Sequence, residues 1–174
     1  NPRSPQTTVY DGSPHEVVNE VNTTANATSP SNETDAVTGW TDGGGDVVSS
    51  GDLTSEESIS GAEGTNTLKM VTDANVDWIK ANWTIVSGKV YKVAIRWKTT
   101  ATTSGIWNYA WGSSSGTGGY ADGNTLDGST DWVTATNYFT STGTTLHLFL
   151  QEKGATSNIM TLYVDHISIK EVQM

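Results

Sequence analysis

The sequence predicts an all-β chain folded as an antiparallel β-sandwich, or jelly roll, with an extended N-terminal arm. Three observations lead to this. Strand-length segments alternate apolar and polar residues with period two, turn dipeptides and glycine clusters separate them, and no segment carries helical periodicity. Many short strands punctuated in this way suit two packed sheets.

Residues 1–24 read as the arm and 25–174 as the sandwich. Pro2, Pro5 and Pro14 remove backbone donors and oppose regular elements. Tyr10-Asp11-Gly12 has turn composition, and Val17, Val18 and Val21 form an apolar cluster too small for a core. Two readings stand: a disordered tail, or an arm that anchors the domain to another subunit.

From Ala25 the pattern becomes β. Gly43-Gly44-Gly45 and the stretch from Gly61 to Gly64 mark loops, and Leu68 and Met70 belong to a short strand. In Trp78 to Val86, Ile79, Ala81, Trp83 and Ile85 are apolar, whereas Lys80, Asn82 and Thr84 are polar, so one face is buried. Ser87-Gly88-Lys89 turns the chain. Val90 to Thr99 alternates again, with Tyr91, Val93, Ile95 and Trp97 inward and Lys92, Arg96 and Lys98 outward. Ile106 to Gly112 is a further strand, followed by a Gly/Ser-rich loop from Ser113 to Gly119. Asp122-Gly123 and Asp127-Gly128 are turn dipeptides. Three strands close the chain: Trp132 to Thr140, Leu146 to Gln151, and Leu162 to Val172. The last contains Asp165, although Asp is depleted in strands.

Composition narrows the function. A length of 174 residues suits one domain with some additional chain. A hydrophobic fraction of 34% is low, but seven Trp bury much area each and a sandwich strand needs only one apolar face. With no cysteine, disulfides and thiolate metal sites are excluded. A net charge of −10 opposes binding to nucleic acid or to an anionic membrane. No stretch is long and apolar enough for a bilayer-spanning helix. The first residue is Asn1 rather than Met, which fits a processed product or a piece of something longer.

Four pieces occur in a telling order: Thr38-Gly39-Trp40-Thr41, Ala62-Glu63-Gly64-Thr65-Asn66-Thr67-Leu68, Val86-Ser87-Gly88-Lys89-Val90-Tyr91, and Trp132 through Phe139 leading to Val164-Asp165-His166-Ile167-Ser168-Ile169. Over roughly residues 25–172 the chain resembles the carbohydrate-binding modules of the family 4/9/22 type, jelly rolls of galactose-binding-like topology. The resemblance implies two facing antiparallel sheets and often one structural calcium ion. Asp165 holds the position of the calcium-binding Asp, Glu33 that of an acidic residue ahead of the Gly-Trp element, and carbonyls around Gly64 would add oxygens. The chain departs from the pattern at His166, where a second Asp is usual. The other reading of Asp165 is a buried carboxylate satisfied by backbone N–H groups. Similar modules occur in phage virion and tail proteins, and the Thr/Gly/Ser-rich composition with a polar arm resembles that setting.

Candidate ligand contacts are Trp78, Arg96, Trp107, Tyr109 and Trp111. Trp107, Tyr109 and Trp111 lie at i, i+2 and i+4 and so project from one face of a strand, about 7 Å apart. Exposed, they form a row for stacking on sugar rings; otherwise they are core, as large aromatics usually are. Trp78 sits on the otherwise polar face of its strand, so it either covers a loop or forms a platform with Lys80, Asn82 and Arg96 to orient a ligand. Trp83 and Trp97 read as core, and Trp40 and Trp132 as plugs at the sandwich ends. His15, His147 and His166 lack metal-ligand spacing, and no nucleophile or phosphate-loop motif is present. Glycosylation sequons occur at Asn22, Asn26, Asn32 and Asn82, as chance alone would produce in so Thr-rich a chain.

The expected function is therefore a non-catalytic, extracellular, surface-displayed module that recognises a glycan or host polysaccharide, on a phage virion. It would act through multivalent display or as a homo-oligomer, with no nucleic-acid or membrane partner. The alternative is a structural virion decoration or fibre protein whose sandwich and arm pack on capsid or tail proteins without binding sugar.

Overall fold

In a computed structural model of the chain, the described residues are 15–22, 37–44, 53–71, 78–100, 107–113, 119–126, 128–152 and 161–173. The regular elements among them are all strands. In chain order these are β1 (His15–Glu20), β2 (Thr41–Gly44), β3 (Leu53–Glu57), β4 (Asn66–Val71), β5 (Trp78–Thr84) and β6 (Val90–Thr99). Then follow β7 (Trp107–Gly112), β8 (Gly119–Leu126), β9 (Val133–Thr140), β10 (Thr145–Glu152) and β11 (Thr161–Gln173).

Two antiparallel sheets result. A six-stranded sheet runs β3-β4-β11-β6-β9, with β1 also paired to β11; a five-stranded sheet runs β2-β5-β10-β7-β8. Alternation decides what each buries. Ile79, Ala81 and Trp83 of β5, Leu146, Leu148 and Leu150 of β10, and Tyr91, Val93, Ile95 and Trp97 of β6 point between the sheets and are buried there. Aromatic pairs fill the middle, with Trp83 and Trp111 at 6.3 Å and Trp97 and Tyr109 at 6.5 Å between ring centroids.

The arm expected over residues 1–24 is in part a strand of the sandwich. β11 is long enough to carry two partners along one edge: β4 against Thr161–Val164 and β1 against Lys170–Gln173. The side chain of Glu20 closes that junction, accepting from the Ser168 hydroxyl at 2.6 Å and from the Ile169 backbone N–H. Asn22 follows and is 0% exposed. Its amide donates to the Ile167 carbonyl at 2.8 Å, and its oxygen accepts the Trp83 indole N–H at 2.8 Å. One side chain thus ties the N-terminal segment to both sheets. An amide buried and used in this way cannot carry a glycan in the folded state.

Other expectations shift. Asp122-Gly123 lies inside β8 rather than in a turn. The link Ser87-Gly88-Lys89 does not make a hairpin: β5 pairs with β2 and β10, β6 with β11 and β9. The turn passes from one sheet to the other, held by the Gly88 N–H on the Ser141 carbonyl at 2.8 Å and the Ile85 N–H on the Thr144 carbonyl at 2.9 Å. Trp40 is core, but Trp132 is only partly buried and lies on the outside of the six-stranded sheet.

Candidate functional site

The outward face of the five-stranded sheet carries the aromatic and polar groups best placed to meet a ligand. The antiparallel register sets its rows. Trp78 lies opposite Gln151, which lies opposite Asn108; Lys80 opposite Phe149, opposite Ala110; Asn82 opposite His147, opposite Gly112. Thr41 of β2 flanks Lys80 on the other side and donates its hydroxyl to the Lys80 carbonyl at 3.4 Å. From Trp78 to Thr84 the β5 strand spans about 20 Å.

Phe149 distinguishes this face. It is 1% exposed and yet does not belong to the core between the sheets. Its ring packs against Trp78, at 5.5 Å between centroids, and against His147, at 6.0 Å and nearly parallel. Trp78 is half-buried, with the Lys80 ammonium 5.9 Å from its ring centre. The three rings form a small aromatic layer on the outer surface, bordered by Lys80, Asn82 and Gln151. Burial and then the Lys80 charge hold the His147 pKa below its usual value, so the ring is neutral at neutral pH. Its Nδ1 is buried without a partner among the described residues.

The sequence-predicted contacts do not come together. Trp78 is on this face. Tyr109 and Trp111 point the other way, opposite Leu150 and Leu148, and are 3% and 0% exposed. They are core, which a Leu-rich neighbouring strand accounts for. The Tyr109 hydroxyl donates to Asn137 across the sandwich at 2.9 Å, and burial raises its pKa. Trp107 heads the same strand, and its side chain is outside the described residues. Arg96 lies on β6, on the outside of the opposite sheet, and cannot share a ligand with Trp78. His147 and Phe149 were missed, though the signal was present: between Leu146, Leu148 and Leu150 they occupy the outward positions, and an apolar ring there breaks the pattern just as Trp78 does.

Arg96 has a different task. β11 bulges between Val164 and His166, which gives Asp165 a place of its own and a side chain 0% exposed. One oxygen of that carboxylate, Oδ2, takes a charge-assisted hydrogen bond from Arg96 and the Glu63 backbone N–H at 3.0 Å. Arg96 also donates to the Gly61 carbonyl at 2.8 Å and stacks 4.7 Å over Trp132, whose indole N–H holds the Ser60 carbonyl at 3.0 Å. These contacts pin the β3–β4 loop to the sheet.

The calcium expected at Asp165 and Glu33 does not fit the described residues. Calcium takes six to eight oxygens. Here a fixed guanidinium already occupies Asp165 Oδ2 and the loop carbonyl, and would repel a second cation. No group of three or more His, Asp or Glu suited to a metal occurs among the described residues, and Glu33 lies outside them.

The same loop makes a stability test. Gly61 has φ +77°, and an added Cβ would come within 3.0 Å of Trp132 Cδ1. Gly61→Ala is expected to cost about 1–3 kcal/mol, measured by urea unfolding.

No family model matches the sequence, and no curated protein does. Solved structures of similar fold include the xylan-binding domain CBM22-1 of Paenibacillus barcinonensis Xyn10C (TM-score 0.56, 15% identity, 78% of this chain and 87% of that one). They also include the N-terminal cellulose-binding domain of Cellulomonas fimi β-1,4-glucanase C (0.53, 15%, 78% and 91%). A third is TmCBM61 in complex with β-1,4-galactotriose (0.55, 12%, 76% and 88%). The chain has the jelly-roll fold of carbohydrate-binding modules.

Proposed function

We propose that the chain is a non-catalytic glycan-binding module that uses the outward face of the five-stranded sheet. The observation that carries this is the aromatic layer of Trp78, Phe149 and His147, outside the core and fringed by hydrogen-bonding side chains. Sugar rings present apolar C–H faces and a rim of hydroxyls. An aromatic ring fixed from beneath and bordered by polar groups answers both. Fold neighbours that bind xylan, cellulose or galactotriose support the reading by analogy of architecture. It implies display outside a cell, on a secreted protein or a particle such as a virion. Anchoring through the N-terminal arm would draw on residues 1–14, because His15–Asn22 are committed to the chain's own sheets.

Stacking on one exposed ring is worth about 0.5–1.5 kcal/mol beyond area burial. Single-site affinity is therefore weak and multivalent display matters. Trp78→Ala is expected to weaken binding to a recognised polysaccharide about tenfold in affinity electrophoresis, while the sandwich stays folded and loses about 1–2 kcal/mol with the Phe149 ring contact. Unaltered mobility of that variant, or no retention of a multivalent form by any polysaccharide in a broad panel, overturns the reading.

A further inference from the structure

The cations of this acidic chain are unevenly provided for. On the six-stranded sheet, Lys69 pairs with Glu56 at 3.2 Å, Lys89 with Glu171 at 3.0 Å, and Arg96 with Asp165. Lys98 donates to the Ser60 carbonyl at 3.2 Å and lies over the Trp132 and Tyr163 rings. Among the described residues of the other sheet, Lys80 is the one lysine or arginine. It is half-buried, and no carboxylate pairs with it among the described residues. Its ammonium lies beside the Trp78 ring, its cross-strand neighbour is Phe149, and the nearby His147 is neutral. In a chain of net charge −10, an ammonium left unpaired at the edge of an aromatic platform is unusual.

A neutral sugar laid over Trp78 would strip water from that ammonium and return only hydroxyl contacts. Removing water from an uncompensated charge is costly. A ligand anion beside the stacked ring compensates the loss. Charge repulsion beyond roughly 8 Å is screened at physiological salt, so a lysine in contact with the ligand governs the close encounter.

We infer that the glycan taken by this face is anionic, with a carboxylate or sulfate on the ring that stacks on Trp78 received by Lys80. The inference rests on the glycan-binding reading and narrows it to a substrate class. In this arrangement Trp78 supplies stacking common to many sugars, and Lys80 supplies the discrimination.

The test uses two polysaccharide pairs with matched backbones: polygalacturonate against its methyl ester, and a sulfated galactan against its desulfated form. Neutral xylan and β-glucan serve as controls. Titration calorimetry with the full chain is expected to show the acidic member of at least one pair bound about tenfold or more tighter than its neutral partner. The pair that shows the difference identifies carboxylate or sulfate as the anion. Lys80→Gln is expected to abolish the preference, and Trp78→Ala to weaken both members together. An unchanged melting curve for Lys80→Gln shows that the fold is intact. Equal or better binding of the neutral members, or a preference that survives Lys80→Gln, overturns the inference and leaves the platform standing. No binding to any polysaccharide in the set overturns the platform reading and this inference with it.

Discussion

Asn22→Ala is expected to lower unfolding stability by about 2–5 kcal/mol, because it leaves two buried groups without partners. The Trp83 indole N–H and the Ile167 carbonyl each lose a 2.8 Å hydrogen bond, and the side chain that served both is 0% exposed. No water replaces it without a cavity large enough to hold one. Asn22→Asp separates the two halves of the interaction. A carboxylate still accepts from Trp83 but cannot donate to Ile167, and it buries a charge, so its penalty is at least as large at neutral pH. Urea unfolding followed by tryptophan fluorescence measures both variants. A change below about 0.5 kcal/mol for Asn22→Ala would show that the N-terminal segment is not docked this way. Removing residues 1–22 carries the same penalty, plus the loss of β1, so such a truncation tests the integrity of the sandwich before it tests any anchoring role.

Arg96→Met is the second large effect, about 3–5 kcal/mol, because it strands a carboxylate whose side chain is 0% exposed. For a chain of this size that corresponds to a fall of roughly 10 °C in melting temperature. Arg96→Lys recovers little, since an ammonium cannot span Asp165 and the Gly61 carbonyl while stacking on Trp132. Arg96→Met combined with Asp165→Asn regains much of the loss, because the stranded charge is gone while a side-chain oxygen remains for the Glu63 N–H. Chelation separates this account from a metal-stabilised one. The wild-type melting temperature is expected to stay within about 1 °C on addition of EDTA or calcium. A drop of several degrees with EDTA, reversed by calcium, would show that a metal and not the guanidinium holds the loop.

Part of this architecture was legible in the residues. In β5, β6 and β10, alternation separates inward from outward positions because successive side chains on a strand must point to opposite faces. Trp78 stood out because it breaks that alternation. The row Trp107, Tyr109 and Trp111 was ambiguous for the opposite reason: a regular apolar row looks the same whether it faces a second sheet or solvent. Only its register against Leu148 and Leu150 of β10 resolves it, with Tyr109 and Trp111 inside. β1 was illegible because its short, polar sequence gains strand structure by pairing with β11, at the far end of the chain.

Local alternation thus established the all-β class, the core-facing residues of β5, β6 and β10 and the outward direction of Lys80, Arg96 and Trp78. Pairing between distant strands decided the rest. A tight turn joins β5 to β6, which suggests a hairpin and a shared surface, yet the two strands enter different sheets. Trp78 and Arg96 therefore sit on opposite outer faces, one within an aromatic layer and the other over a buried carboxylate. The period of a strand is a property of its own backbone, whereas its neighbours depend on the collective burial of both sheets, and no local pattern encodes that choice.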